Sequence, residues 1–318
     1  MSTDSHAQAR APQAFAFIGV TASASSINRV FPRWARILDL AHVRFEPLDL
    51  PLDSHVESYR RVVQAIRDDA AHRGALVTTH KVRLLHAGRD LFDAFDQYAE
   101  ACDEVSCISK RDGRLIGHAK DPITSGRALE DLLPPDHFRA TGGEVVCLGA
   151  GGAGLAIAVY LATRRPHADR PGRVTLVDRD GERLRWCRSA LDAFADVDCA
   201  LEFVATTDPT RTDEVIAAAA PGTLVINATG MGKDRPGSPL GGAVVFPEHG
   251  VVWDLNYRGE LEFLQQAQAQ AATRSLTVED GWRYFIHGWS EVIAEVFDVE
   301  LTPQVLRELS DEAAGVRS

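Results

Sequence analysis

The sequence predicts an α/β protein of two parts: an N-terminal α/β domain on a mixed sheet, then a C-terminal Rossmann-type domain on a doubly wound parallel sheet. Three observations carry this expectation. Short apolar runs alternate with helix-patterned segments along the chain. A glycine-rich turn at 149–154, "GAGGAG", joins a buried strand to an apolar helix. Asp112-Gly113 marks a hairpin in the first half, which a purely parallel sheet would lack.

Taken in order, "FAFIGV" (15–20) is an apolar strand running into the small polar loop "TASASS". "INRVFPRWARILDL" sets Val30, Trp34, Ile37 and Leu38 near helical spacing, with Pro32 expected in the first turns, where its missing N–H costs little. "HVRFEPLDL" (42–50) reads as a strand, and Ser54 with Glu57 makes a capping box ahead of the helical pattern Val56, Tyr59, Val63, Ile66. Gly74 is expected to stop that helix, before the short strand "ALVTT". A further helix is expected to run through Leu84 and Phe95, followed by the hairpin "EVSCISKRDGRLIGHAKD".

In the second half, "GGEVVCLGAGGAGLAIAVYLATRR" (142–165) is strand, turn and helix in succession, and "RVTLVDRD", "LEFVATT", "TLVINATG" and "GVVWDLNY" supply four more strands. "GWRYFIHGWSEVIAEVF" places Trp289, Val292, Ile293, Val296 and Phe297 on one helical face, and Thr302-Pro303 caps a last helix. Trp282, Tyr284, Phe285 and Trp289 are read as helix packing in preference to a ligand-facing aromatic wall.

With 318 residues, 45% hydrophobic and 25% charged, the chain has room for two cores. A formal charge of −11 repels phosphate backbones and anionic lipid, and no basic stripe offsets it, so neither nucleic acid nor a membrane is an expected partner. No apolar run approaches the roughly 18 residues of a membrane span, and "MSTDSHAQARAPQ" lacks the apolar stretch of a secretory signal. A cytoplasmic protein with a loose N-terminal tail is expected. Cys102, Cys107, Cys147, Cys187 and Cys199 form no C-x-x-C pair, which fits reduced thiols. His80, His118 and His287 lack ligand spacing, so no metal is expected. The oligomeric state is not legible.

Gly149-Ala150-Gly151-Gly152-Ala153-Gly154 fits G-x-G-x-x-G in the context its chemistry needs. The first glycine permits a tight turn, the second lets a pyrophosphate approach the backbone, the third allows close helix–strand packing, and the helix N-terminus faces the anion. The competing reading is a merely tight βα turn. Asp178, at the end of the next strand, would accept from adenosine ribose hydroxyls and repel a 2′-phosphate, which favours NAD. Arg179 beside it would hold a 2′-phosphate or stack on adenine, which keeps NADP as the alternative. Asn227-Ala228-Thr229-Gly230 ends a parallel strand at its carboxyl side, where such sheets bind ligands, and is expected to line the nicotinamide ribose.

Six stretches in this order, "FIGVTASASS", "GALVTTHK", "RDGRLIGHAKD", "VVCLGAGGAG", "LVINATGMG" and "VVWDLNYRGELEFLQQA", resemble the shikimate/quinate dehydrogenase family over nearly the whole chain. The resemblance implies a substrate domain over 1–127, a dinucleotide-binding domain over 128–277, and C-terminal helices over 278–318 that pack back on the first domain across a cleft. In that family V-T-x-P-x-K delivers a lysine and N-T-D an aspartate, and the pair shuttles a proton while hydride moves to or from nicotinamide. Here Val77-Thr78 and Lys81 match the first segment with one residue, the proline, missing. Asp121 matches the last position of the second, with Ala119 and Lys120 replacing Asn and Thr.

The positions that grip substrate depart further. The family's S-x-S loop falls on Ser25 and Ile27, unless the loop presents Ser23 and Ser25 instead. A family asparagine falls on Ser106 and a glutamine on Gly288; Tyr257 is retained, while the proline and threonine after it are Gly259 and Glu262. Each loss removes a polar group from a site whose selectivity depends on pairing substrate hydroxyls.

Lys81 reads as the proton-transfer group, against the alternative of a surface lysine opening a helix, where a cation is mildly disfavoured. Asp121 reads as its partner, against a hairpin-end carboxylate. Thr78 and Ser25 stand evenly between substrate contact and local backbone satisfaction. The expectation is a shikimate dehydrogenase-like NAD(P)-dependent oxidoreductase that interconverts a ketone and a secondary alcohol on a small cyclic hydroxy acid or cyclitol. Its alternatives are shikimate or quinate dehydrogenase proper, and a non-catalytic NAD- or metabolite-binding regulator of the same fold.

Overall fold

Two six-stranded sheets, one mixed and one parallel, organise the chain. The structure, a computed structural model, describes residues 12–164, 169–194, 197, 199–233 and 235–317; the expected N-terminal tail lies outside them. The chain divides into two compact units, one reaching to Lys120 and resuming at Trp289, the other Asp121–Gly288. No helix among the described residues is long and apolar enough to cross a membrane.

The first unit runs β1 (Gln13–Gly19), α1 (Ile27–Ile37), β2 (Val43–Asp49), α2 (Val56–Asp68), β3 (His72–Val77), α3 (Lys81–Gly88), β4 (Ala94–Phe95), α4 (Gln97–Cys102), β5 (Cys107–Arg111) and β6 (Arg114–His118). Its sheet order is β2-β1-β3-β5-β6-β4, with β5 antiparallel to β3 and to β6. The expected hairpin turn is present: Asp112 (φ 50°) and Gly113 (φ 74°) are both left-handed, as a type I′ turn requires. β1 is wholly buried after its first residue. Phe15 meets Phe31, Phe45 and Phe297 at 5.6–5.9 Å between ring centres, and Trp289 lies edge-on to Phe17 at 4.7 Å.

Four local expectations are corrected. Pro32 sits at the sixth position of α1 and not in its first turns, so the helix forgoes the N–H that would reach the Asn28 carbonyl. The cap of α2 is His55, whose Nδ1 accepts from the Glu57 N–H at 3.4 Å; Ser54 lies one residue outside, its N–H turned to the Pro51 carbonyl at 3.0 Å. No helix reaches Phe95. Asp93 and Asp96 draw the backbone away from it, Asp93 exchanging backbone and side-chain bonds with Leu115 and Asp96 capping α4 through the Ala99 N–H. Gly74 does not stop α2, which ends at Asp68; it is a residue of β3, at φ 151°, where the pairing with β1 slips by one residue.

The second unit runs α5 (Asp121–Leu132), α6 (His137–Thr141), β7 (Val145–Leu148), α7 (Gly152–Val159), β8 (Arg173–Asp178), α8 (Gly181–Asp192), β9 (Ala200–Ala205), α9 (Pro209–Ala217), β10 (Leu224–Asn227), β11 (Val251–Asp254), α10 (Glu262–Arg274) and β12 (Thr277–Glu279). The order β12-β11-β10-β7-β8-β9 is parallel throughout. β7, β10 and β11 are buried along their length, as the near-continuous apolar runs of a sheet covered on both faces should be. The chain leaves β7 toward β8 and β9, then returns on the other side of β7 with β10, so the topological switch lies between β7 and β10.

Helix α11 (Trp282–Phe297) opens in the second unit and continues into the first; α12 (Pro303–Ala314) follows, with the Thr302 hydroxyl accepting from the Val305 N–H at 3.2 Å and Pro303 at the first helical position. The Trp34 indole N–H of α1 donates to the Leu309 carbonyl of α12 at 2.8 Å.

A Cβ on Gly74 would lie 2.0 Å from the Ile108 carbonyl oxygen of β5. Gly74→Ala is expected to lower the unfolding free energy by about 2–4 kcal/mol, in the range of strained-backbone and overpacking substitutions. Urea denaturation checks this, and a loss below about 0.5 kcal/mol, the range of neutral surface changes, would contradict the contact.

Candidate active site

In the first unit, the carboxyl ends of β1, β2, β3 and β6 lie on one edge of the sheet. Thr78 N–H bonds to the Ile18 carbonyl at 2.9 Å and Leu50 N–H to the Gly19 carbonyl at 2.8 Å, while Leu76, Cys107 and His118 pair across β3, β5 and β6. The loop after β1 carries Ser23 and Ser25, the segment after β3 carries Thr78 and Lys81, and Ser106 precedes β5. Neighbouring strands stand about 4.8 Å apart, so these residues share one short stretch of edge.

Lys81 is the first residue of α3. The two residues between Thr78 and Lys81 suffice because the chain makes a three-residue turn: His80 N–H bonds back to the Thr78 carbonyl at 2.5 Å around Thr79, at φ 60°. A β-branched residue in that region is strained, and such strain concentrates at functional positions. His80 is buried, its Nε2–H donating to the Leu50 carbonyl at 2.7 Å and its Nδ1 accepting from the Tyr59 hydroxyl at 3.1 Å. Burial holds its imidazole below the usual range, so His80 anchors the turn as a neutral ring. The Lys81 ammonium lies 3.9 Å from Oε1 of Glu104, whose side chain is 2% exposed against 17% for Lys81. The Val105 N–H reaches the Lys81 carbonyl at 3.4 Å, tying the two segments together.

Ser106 is buried, and its hydroxyl oxygen accepts the Lys120 N–H at 2.7 Å. The Lys120 ammonium is itself buried against Glu295 of α11. Burial pushes the Glu295 carboxyl up, but the bond from Lys120 and the charges of His118 and Arg111 prevail and hold it below the usual carboxylate range. His118 completes this group through the Ser109 hydroxyl at 2.8 Å. Ser23 donates its N–H to Oδ1 of Asp49 at 2.9 Å and its hydroxyl to Oδ2 at 2.5 Å.

In the second unit, Asp121 opens α5 and is buried; the Tyr284 hydroxyl donates to its Oδ2 at 3.4 Å, and the Ser125 hydroxyl to its backbone carbonyl at 2.6 Å. Tyr257 packs against Trp282 at 5.2 Å and Phe285 at 5.1 Å. With Trp282 and Phe285 stacked at 4.9 Å, and Trp289 among the phenylalanines of β1 and β2, these aromatics are core. His287 bonds to Asp131 at 2.8 Å. Among the described residues no group of three or more His, Cys, Asp or Glu is placed to hold a metal ion.

The glycine turn stands at the switch point. Gly149 takes φ 104°, and a Cβ there would lie 2.8 Å from the Ala228 carbonyl group; a Cβ on Gly154 would lie 2.0 Å from the Gly149 carbonyl oxygen. The Ala228 N–H closes the gap to the Leu148 carbonyl at 2.7 Å. Gly151 caps α7 without a side-chain bond, and a Cβ built on it would meet nothing within 4 Å. That donor set fits the pyrophosphate of a dinucleotide: N–H groups of Gly152, Ala153 and Gly154 in the first helical turn, with no side chain over them. Asp178 holds the turn from the next strand, Oδ2 accepting the Ala150 N–H at 2.7 Å and Oδ1 the Asp180 N–H at 2.9 Å. Each oxygen keeps a second lone pair for a ribose hydroxyl. Arg179 is exposed beside it.

Beneath the Asn227–Gly230 segment lies a buried polar network. Asp254 is 0% exposed; its Oδ1 accepts from Asn227 Nδ2 (3.2 Å), Asn256 N (2.9 Å) and Asn256 Nδ2 (2.8 Å), while its Oδ2 has no hydrogen-bond partner. Asn227 Oδ1 in turn accepts from the N–H and hydroxyl of Thr229, whose hydroxyl oxygen accepts the Met231 N–H. The segment after β10 is thereby fixed side chain by side chain.

The edge of the first unit gathers Ser23, Ser25, Thr78, Lys81 and Ser106, and the switch point of the second gathers Gly149 to Gly154, Asp178 and Asn227 to Gly230. Sequence reasoning missed Glu104, Glu295 and Asp254. An acid three residues before a strand carries no local signal, and "VVWD" marks Asp254 only as an acid ending an apolar run.

No family model matches the chain. A shikimate dehydrogenase (NADP(+)) of Symbiobacterium thermophilum is 34% identical over 167 residues, 52% of this chain and 52% of that enzyme. Across the matched segment, the chain thus spans about half the length of that relative, and 58% of the Streptococcus thermophilus and Exiguobacterium enzymes. A quinate/shikimate dehydrogenase (NAD(+)) of Corynebacterium efficiens is 32% identical over 232 residues, 71% of this chain and 74% of that protein. Among solved structures, the quinate dehydrogenase of Corynebacterium glutamicum in complex with NAD superposes with a TM-score of 0.73 at 22% identity, over 95% of this chain and 99% of that one. That last likeness is one of fold.

Asp254 generates a pH test. Burial pushes its carboxyl up to about 6. The folded protein then holds this proton more tightly than the unfolded chain, so stability falls as pH rises from the ordinary aspartate range through about 6 and is level above it. The expected loss is on the order of 2–3 kcal/mol, at about 1.4 kcal/mol for each tenfold change in proton affinity. Asp254→Asn removes this part of the pH dependence. Urea melts of both proteins from pH 4 to 8 read the difference, and parallel profiles would contradict the assignment.

Proposed function

Since the chain belongs to the shikimate/quinate dehydrogenase family, we propose that it is an NAD(P)-dependent dehydrogenase interconverting a secondary alcohol and a ketone on a small polyhydroxylated ring. The observation that carries this reading is Lys81, set at the carboxyl end of β3 by a strained turn and balanced by a buried acid. A surface lysine needs neither.

When bound, the nicotinamide nucleotide accepts or returns a hydride. Gly151 to Gly154 would hold its pyrophosphate, Asp178 the adenosine ribose, and Asn227 to Gly230 the nicotinamide ribose. The single carboxylate at Asp178 favours NAD; the exposed Arg179 keeps NADP within reach. In the oxidative direction the carbinol C–H leaves as hydride, the C–O bond becomes a carbonyl, and the hydroxyl proton passes to the neutral Lys81 amine; in the reductive direction the Lys81 ammonium returns it. Asp121 is assigned to the same proton transfer on its place in the second motif. Thr78, Ser25 and Tyr257 are the remaining candidates for substrate contact.

Lys81→Ala is expected to reduce kcat by about 10²–10⁴-fold, the usual worth of a positioned acid–base group, and to change the dissociation constant for NAD or NADP by less than about threefold. Steady-state assays on cyclic hydroxy acids and cyclitols with each nucleotide, beside nucleotide-binding titrations, provide both readouts. Undiminished turnover would refute the role of Lys81, and loss of nucleotide binding together with turnover would show a folding defect instead.

A further inference from the structure

Three donors on the proposed substrate edge of the first sheet are each already paired with a carboxylate of the chain itself, which leaves no unbalanced positive charge among them. Lys81 faces Glu104 at 3.9 Å. Lys120 faces Glu295, with both side chains largely buried. Ser23 gives its N–H and its hydroxyl to the two oxygens of Asp49, at 2.9 and 2.5 Å. These pairs stand along one edge of the sheet: Asp49 closes β2, Ser23 follows β1 and Lys81 follows β3, three neighbouring strands, and Lys120 follows β6, beyond β5.

Resting on the dehydrogenase reading above, we infer that the substrate is an uncharged polyhydroxylated ring, a cyclitol or cyclic hydroxyketone, and not a ring carboxylic acid. Glu104 and Asp49 are the residues that turn the acid away. The physical argument is one of competition. An anionic substrate would have to displace Asp49 from the Ser23 donors while standing beside a like charge, and it would meet in Lys81 a cation already neutralised at close range. A neutral hydroxyl meets no such opposition: carboxylate oxygens are strong acceptors for O–H donors, and the lone pairs left on Asp49 suit it. Glu104 acts through Lys81 as a positioning residue. It keeps the ammonium beside the reacting hydroxyl without creating a net positive pocket.

The test is a matched pair of substrates differing only in charge: quinate and its carboxamide, flanked by inositols, assayed on the full-length protein with NAD and NADP. In the wild type, kcat/KM for the uncharged compounds is expected to exceed that for quinate by at least about tenfold, which corresponds to about 1.4 kcal/mol. Glu104→Gln and Asp49→Asn should each move that ratio toward one, chiefly by lowering KM for quinate. A purely structural defect would depress both members of the pair alike, so the ratio separates selection from damage. Should Glu104→Gln fail to fold, the exposed Asp49→Asn still reads the effect. A wild type that prefers quinate, or a ratio unmoved by substitution, overturns the inference and leaves the dehydrogenase reading standing. Absence of nucleotide reduction with every compound overturns both.

Discussion

Wherever a parallel strand stops, the loop that follows carries backbone N–H groups that the ladder no longer serves, and buried ones must find acceptors. This chain meets that constraint repeatedly with aspartate. Asp178 holds the N–H groups of Ala150 and Asp180, Asp254 holds that of Asn256, and Asp49 holds that of Ser23. Carboxylates suit the task because each oxygen accepts more than one bond and the bonds are charge-assisted. The consequence is that loops bearing the proposed cofactor and substrate contacts are fixed by acids, which makes these edges electronegative before any ligand arrives.

The anion binding proposed for the nucleotide must then come from a feature that acids do not dominate, and the glycine turn is that feature. Gly149, Gly151 and Gly154 have separate tasks: the first lets β7 approach the Ala228 backbone, the third lets α7 touch the turn behind it, and the second leaves open space over the helix start. Asp178 commits its Oδ2 to the Ala150 N–H, just ahead of the helix start. Backbone partial charges do there what side chains do elsewhere in the chain.

Features whose cause is local were legible in the sequence. The Asp112-Gly113 turn, the Thr302-Pro303 helix start, the G-x-G-x-x-G turn and the five parallel strands that open with "EVVCL" all follow from dihedral preference, capping or apolar run length. Features whose cause is distant were not. Gly74 looks like a helix stop because positive φ is its common use, yet its position is dictated by the Ile108 carbonyl 34 positions along the chain. Phe95 fits a helical pattern, but two aspartates and the edge of β6 draw it into a strand. At the site, Lys81 was legible as a motif member, whereas Glu104 acquires meaning only once β3 and β5 lie side by side.

The segment ahead of Lys81 turns sharply without a proline. A proline ahead of the lysine would fix the chain direction through its ring; without it, the segment needs another device to turn sharply off β3 and start a helix. Thr79 supplies the turn at the expense of a strained backbone, and the strain is held by neighbours that cannot relax: His80 pinned between Tyr59 and Leu50, and Val105 bonded to the Lys81 carbonyl. Glu104 rides on that last contact. The backbone bond that ties Val105 to the turn thereby brings the Glu104 carboxylate to the lysine.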